Sequence, residues 1–215
     1  MEKENILIRK FIMNHEIIII DYGLGNVGSI QKALKRININ SKITSNLEEI
    51  KSSQKIILSG VGNFKKGIEN LEKMSILKVL NEKVADRQSL ILGICLGMQL
   101  MTKYSEEGKI NGFGWISAST YLLDNKKIKV PHNGWNNLSV KKSQLILKDI
   151  YESDLFYFNH SYYIKCDNHN DILATTEYGI EFVSIFNKDN IYGCQFHPEK
   201  SHSLGLQFLM NFSKL

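Results

Sequence analysis

Cys95 closes the apolar run Leu90-Ile91-Leu92-Gly93-Ile94 and opens Leu96-Gly97-Met98-Gln99. The run reads as a buried strand, and Leu96, Met98, Leu100, Met101 and Tyr104 after it read as an apolar helical face. A strand, a tight turn and a helix around one nucleophilic residue make a nucleophile elbow, whose small flanking residues let the backbone fold sharply and push the side chain out of the sheet. A thiol placed there meets a helix N-terminus, where backbone N–H groups and the dipole favour a thiolate. The alternative is a buried core cysteine, the ordinary fate of a free thiol. A second segment, Ile191-Tyr192-Gly193-Cys194-Gln195-Phe196-His197-Pro198-Glu199, weighs against that alternative. It reads as a strand that delivers a histidine and a glutamate at its end, with Pro198 stopping the ladder for lack of an N–H. A cysteine nucleophile needs a base within hydrogen-bond reach, and the base needs an acceptor that orients it. His197 and Glu199 supply both when the chain bends at Pro198.

The elements that must hold these groups follow from the hydrophobic pattern. Strands are expected at residues 17–21, 42–44, 55–59 and 90–94, with a helix at 29–36 carrying Ile30, Ala33 and Leu34 on one face. Glu48 and Glu49 read as the first turn of a capped helix, and one helical stretch follows the Gly60-Val61-Gly62 loop through Asp86. Such alternation implies a three-layer, doubly wound α/β domain with a mainly parallel twisted sheet. Ligands of such sheets gather beyond the C-terminal strand ends, and Cys95 lies at one of them. The second half is strand-rich, at 155–159, 162–165, 172–176, 182–186 and 191–196, and these strands are expected as antiparallel additions and hairpins. A closing helix carries Leu204, Phe208, Leu209 and Phe212.

Composition narrows the class further. The 215 residues, 43% of them hydrophobic, suit a single domain, taken here as residues 13–215. No run approaches the roughly 18 apolar residues of a membrane span. The three cysteines, at 95, 166 and 194, have neither the number nor the spacing of a disulfide framework or a zinc site. A reducing cytoplasm is their natural setting. The net charge is +5, but the lysines are scattered, whereas a nucleic-acid surface needs them clustered. Lys126-Lys127 and Lys141-Lys142 read as solvated faces. Residues 1–12 precede a second methionine, Met13, and their charges interrupt any signal-peptide core. They are expected to be an N-terminal extension or the product of a misplaced start.

Gly23-Leu24-Gly25-Asn26-Val27-Gly28 matches G-x-G-x-x-G between a strand and a helix, so an NAD-binding protein is a competing expectation. The acid that should close the second strand is missing, since that strand ends Ile43-Thr44-Ser45-Asn46. The motif also leaves Cys95 and His197 without a purpose.

The Gly93–Gln99 segment, together with Phe196-His197-Pro198-Glu199, resembles the class I glutamine amidotransferases. Asp21-Tyr22-Gly23-Leu24-Gly25-Asn26, Gly60-Val61-Gly62-Asn63-Phe64, Pro131-His132-Asn133-Gly134-Trp135-Asn136, Tyr157-Phe158-Asn159-His160-Ser161-Tyr162 and Lys200-Ser201 narrow it. From about residue 16 onward they resemble, in order, the glutaminase subunits of imidazole glycerol phosphate synthase and their paralogues in cell-surface sugar amidination. The resemblance implies a triad of Cys95, His197 and Glu199 that hydrolyses L-glutamine. It implies an oxyanion hole from the backbone N–H groups of Val61 and Leu96, donors typically worth about 3–4 kcal/mol each. Gly60 and Gln99 would hold the substrate, Glu107 its α-amino group, and His160, Ser161 and Tyr162 its α-carboxylate. Asn26, Trp135, Asn136 and Lys200 would face a (β/α)₈-barrel cyclase in a heterodimer, and Trp is an interface-enriched anchor. The thiol chemistry needs no metal and no organic cofactor. Histidine biosynthesis is the expected pathway, with sugar amidination the alternative. Ser59 stands where the family has proline and Asn133 where it has methionine; Asn159 departs as well. A non-catalytic interaction module is a further alternative, opposed by the intact triad set.

Overall fold

The computed structural model describes residues 16–87 and 89–215; the expected extension at 1–12 and the alternative start at Met13 lie outside them. The first half alternates strand and helix: β1 (Ile17–Ile20), α1 (Val27–Arg36), β2 (Ser41–Thr44), α2 (Leu47–Ser52), β3 (Lys55–Gly60), α3 (Phe64–Lys73), α4 (Ile76–Asp86), β4 (Leu90–Cys95) and α5 (Leu96–Leu100). The second half holds β5 (Tyr104–Ser105), β6 (Ile110–Asn111), β7 (Ala118–Leu122), β8 (His132–Asn137), β9 (Ser139–Val140), β10 (Leu155–His160) and β11 (Tyr162–Cys166). It closes with β12 (Ile172–Glu177), β13 (Glu181–Lys188), β14 (Ile191–Cys194) and α6 (His202–Ser213).

Among the described residues the strands form one large sheet in the order β2-β1-β3-β4-β14-β13-β11-β7-β5-β6, with β12 and β9 attached to β13, and a separate ribbon of β8 and β10. The β2-β1-β3-β4-β14 portion is parallel throughout. All four residues of β1 are buried, as a strand covered on both faces requires. Its alternation divides the core: Ile17 and Ile19 pack with α1 and α6, whereas Ile18 and Ile20 pack with the α2–α5 side. The three layers expected from the sequence are present. Helix starts are chemically specified, since the Asn26, Asn46 and Asn63 side chains each accept from backbone N–H groups of the first turn.

Four expectations need correction. The stretch before Asp86 is two helices, α3 and α4. The elbow helix is one short segment, and Tyr104 already belongs to β5. β14 pairs antiparallel with β13 but parallel with β4, so it is a central strand rather than an antiparallel addition. Trp135, expected in a loop, lies in β8, paired with Tyr157 of β10. No described helix is long and apolar enough to cross a membrane.

Candidate active site

The elbow is built by backbone proximity. Cys95 has φ +52° and ψ −110°, a conformation L residues rarely adopt. A Cβ on Gly97 would stand 1.7 Å from the Leu58 carbonyl oxygen, and one on Gly93 2.7 Å from the Met98 nitrogen. Only glycine lets the turn press this close to β3 and back onto itself. The parallel register sets Gly60 beside Cys95, bringing the end of β3 and the Val61 peptide to the thiol. Cys95 is 6% exposed.

A cavity of about 270 Å³ opens above the sulfur, a size suited to a small metabolite. Its walls include Val61, Leu96, Gln99, Glu107, Ser161 and Tyr162, with Cys95 at its base. His160 also lines it. Of the expected substrate residues only Gly60 is absent from this wall, and it sits directly behind Val61. A wider depression of about 600 Å³, lined by Ser29, Lys32, Lys35, Arg36 and Glu199, does not include the thiol. The smaller cavity is the one that holds the Cys95 thiol.

The bend at Pro198 does what the sequence required. Pro198–Lys200 forms a short 3₁₀ turn that swings the Glu199 carboxylate back, and His197 Nδ1 lies 2.9 Å from Glu199 Oε1. The His197 main-chain N–H donates to the Tyr157 carbonyl at 2.8 Å, and Ser201 Oγ donates to the His197 carbonyl at 2.7 Å. His197 Nε2 is buried and makes no hydrogen bond to the described protein. Burial acts to lower the His197 pKa, but interaction with Cys95 and with Glu199 outweighs it and raises the pKa to about 10. Both interactions favour the protonated ring.

Several side chains have commitments that the sequence did not show. Glu107 accepts from Asn63 Nδ2 at 3.0 Å and from the Phe64 N–H at 3.1 Å, so it caps α3 while lining the cavity. Burial raises its pKa against those bonds. His160 Nδ1 donates to the Tyr162 carbonyl at 2.8 Å, and its Nε2 faces His132 Nδ1 at 3.0 Å. Both rings are neutral, since burial lowers His132 to about 4 and His160, with His132 adding to the effect, to about 3. His160 thus has no free ring N–H to offer a carboxylate; Ser161 and Tyr162 beside it remain on the wall. Gln99 donates to the Tyr162 carbonyl and to Gln195, which leaves it only an acceptor to present to a ligand.

Of the residues expected to face a partner, Trp135 and Lys200 both lie against the Tyr157 ring. Trp135 is 44% exposed and stacks on His202 with ring centroids 4.9 Å apart. Lys200 Nζ stands 5.6 Å from the centre of the Tyr157 ring. The Asn136 amide is spent internally, donating to the Glu177 carbonyl and accepting from the Asn137 N–H. Asn26 Oδ1 is engaged as the α1 cap. The nucleotide expectation fails here: a Cβ on Gly28 would meet nothing within 4 Å, so the third glycine has no close packing to permit. Sequence reasoning overlooked Gln195, buried beside the sulfur, and Tyr22, whose buried hydroxyl lies against Gly60 without a hydrogen-bond partner.

Residues 18–214 match the family model described as glutamine amidotransferase class-I. Imidazole glycerol phosphate synthase subunit HisH 2 of Methanococcus maripaludis is 47% identical over 200 residues, covering 92% of this chain and 98% of that protein. The subunit of the same name from Pseudomonas aeruginosa is 41% identical, covering 93% and 99%. Subunit HisH of Leptospira interrogans is 39% identical over 92% of this chain and 98% of its own. Among solved structures, a glutamine amidotransferase superposes with TM-score 0.72 at 16% identity, covering 92% of this chain and 99% of that one. PurLQS from Thermotoga maritima superposes with TM-score 0.70 at 17% identity, covering 94% and 99%.

Proposed function

The chain belongs to the glutamine amidotransferase class-I family, and from that premise we propose that it is the glutaminase subunit of an imidazole glycerol phosphate synthase. It hydrolyses L-glutamine at Cys95 and passes the ammonia to a (β/α)₈-barrel cyclase in histidine biosynthesis. The observation that carries this is the elbow thiol lining a cavity of about 270 Å³, together with a histidine that Glu199 holds at 2.9 Å. A cytoplasmic setting suits its three unpaired, buried cysteines.

The mechanism follows from the charges. With the thiol proton resting on His197, the Cys95 sulfur adds to the side-chain amide carbon of glutamine. The oxyanion takes the backbone N–H groups of Val61 and Leu96, a role supported by the register that sets Gly60 beside Cys95 and by the helix start at Leu96. Collapse of the adduct breaks the C–N bond as His197 Nε2 protonates the departing nitrogen, leaving ammonia and a γ-glutamyl thioester. His197, now neutral, takes a proton from water, which attacks the thioester. Glutamate leaves, and the thiolate and protonated ring are restored. Glu199 keeps Nδ1 as the donor, so that Nε2 always faces the reaction. Free ammonia in water is mostly ammonium and not nucleophilic, so direct transfer into a synthase is required. Trp135 and Lys200 are assigned to that contact, with Asn26 and Asn136 shaping the elements beside it.

A second pathway, amidination of a surface sugar, is favoured by Ser59, Asn133 and Asn159, which depart from the family pattern at or near the partner-facing end. Complementation decides between them. Supplied with its own barrel partner, the chain should restore growth without histidine to a strain lacking its glutaminase subunit. Failure there, with loss of a modified surface sugar on deletion in the native host, moves the assignment to the sugar pathway.

A further inference from the structure

Gln195 lies between the end of β14 and His197 and is wholly buried. Its main-chain N–H donates to the Ser184 carbonyl at 2.9 Å, carrying the β13–β14 ladder one step past the strand. Its carboxamide reaches the nucleophile, with Nε2 3.6 Å from Cys95 Sγ. On the other side its Oε1 accepts from Gln99 Nε2 at 3.0 Å, and Gln99 Nε2 also donates to the Tyr162 carbonyl at 2.9 Å.

That carbonyl fixes the direction of the whole chain of bonds. A backbone oxygen only accepts, so the end of Gln99 that meets it is the NH₂. The same NH₂ meets Gln195, so Gln195 turns its oxygen toward Gln99. The end of Gln195 aimed at sulfur is then an N–H donor. Turning either amide over sets like against like among buried groups and leaves them unpaired.

We propose that Gln195 holds the Cys95 sulfur as a thiolate by donating Nε2–H to it, and that the Tyr162 carbonyl, through Gln99, keeps this donor aimed. The inference rests on Cys95 being the nucleophile. A hydrogen bond to an ionised acceptor is stronger than one to its neutral form, so the donor favours S⁻ over S–H. The other titratable groups at the sulfur do not replace it. Tyr22 is held protonated by burial and then by Cys95; Cys194 is held protonated by burial, then by Glu199 and Cys95. His197 carries the mobile proton, and Glu199 stands behind it. Gln195 is an uncharged donor whose contribution is constant with pH and survives when His197 gives its proton away.

The test is the rate of Cys95 alkylation by iodoacetamide on the full chain, followed by intact mass across about pH 5 to 10, the span over which thiols ionise. The unaltered chain comes first: failure to label Cys95 selectively overturns the nucleophile assignment itself. Gln195→Met keeps the volume without a donor, and Gln195→Glu keeps the shape but sets a carboxyl against sulfur. Both should move the alkylation midpoint upward by about one pH unit or more, Glu further than Met. Each should also lower kcat for glutamine by about tenfold or more with little change in KM. A packing role predicts the opposite order, with Glu the milder change. An unmoved midpoint in either folded variant, with Cys95 still reactive, overturns the proposal; if one variant is insoluble the other decides.

Discussion

His197 is where burial and charge oppose each other, and charge wins. Its pKa of about 10 means that the acid needed for ammonia departure is loaded across the whole neutral range. In Glu199→Gln one of the two interactions that raise it is gone, so His197 loses its proton at lower pH. The alkaline limb of kcat/KM against pH should move down from near pH 10 toward neutrality, with kcat falling about 10²- to 10⁴-fold, the usual worth of a positioned acid–base group. An unchanged limb would show that Glu199 does not set the ring's charge. His160 makes the contrast. Held neutral by burial and by His132, it supports the Tyr162 carbonyl rather than binding an anion. His160→Gln should therefore raise KM for glutamine modestly without altering the pH profile, as initial-rate kinetics across pH would register.

Among the elements, the elbow depends on two glycines, whereas the third glycine of the apparent nucleotide motif, Gly28, is dispensable. Gly97→Ala drives a Cβ into the Leu58 carbonyl and should cost about 3 kcal/mol or more, the upper end for overpacking. Gly28→Ala meets open space in α1 and should stabilise by about 0.5–1 kcal/mol. Urea melts of the two variants check both signs. The parallel half of the sheet was legible because β1, β3 and β4 are buried on both faces and read as plain apolar runs. The proximity of His197 to Glu199 and the elbow at Cys95 were legible because glycine and proline punctuate those strand ends. β8 was not, since His132-Asn133-Gly134-Trp135-Asn136-Asn137 has no apolar alternation; only its pairing with β10 makes it a strand. The parallel pairing of β14 with β4 joins segments far apart in sequence, and periodicity carries no such information. Gln195 stayed hidden for the same reason: its partners Gln99, Tyr162 and Cys95 meet it only in the fold.

Across the whole molecule, the proposal gives the Cys95 cavity to glutamine and the exposed Trp135–His202 stack to the partner. Under that proposal Val61, 42% exposed just past the end of β3, completes the oxyanion site only as far as its loop is held. The isolated chain should hydrolyse glutamine slowly, and the rate should rise when the barrel partner and its ligand bind; full-speed hydrolysis by the single subunit would contradict such gating. The central claim is that Cys95 serves only to release ammonia for chemistry done elsewhere. Its most direct test is the reconstituted two-subunit complex with Cys95→Ser, assayed for product with glutamine and, separately, with ammonium salts. The glutamine-dependent rate should be abolished and the ammonia-dependent rate retained. Loss of both rates to the same extent would contradict it.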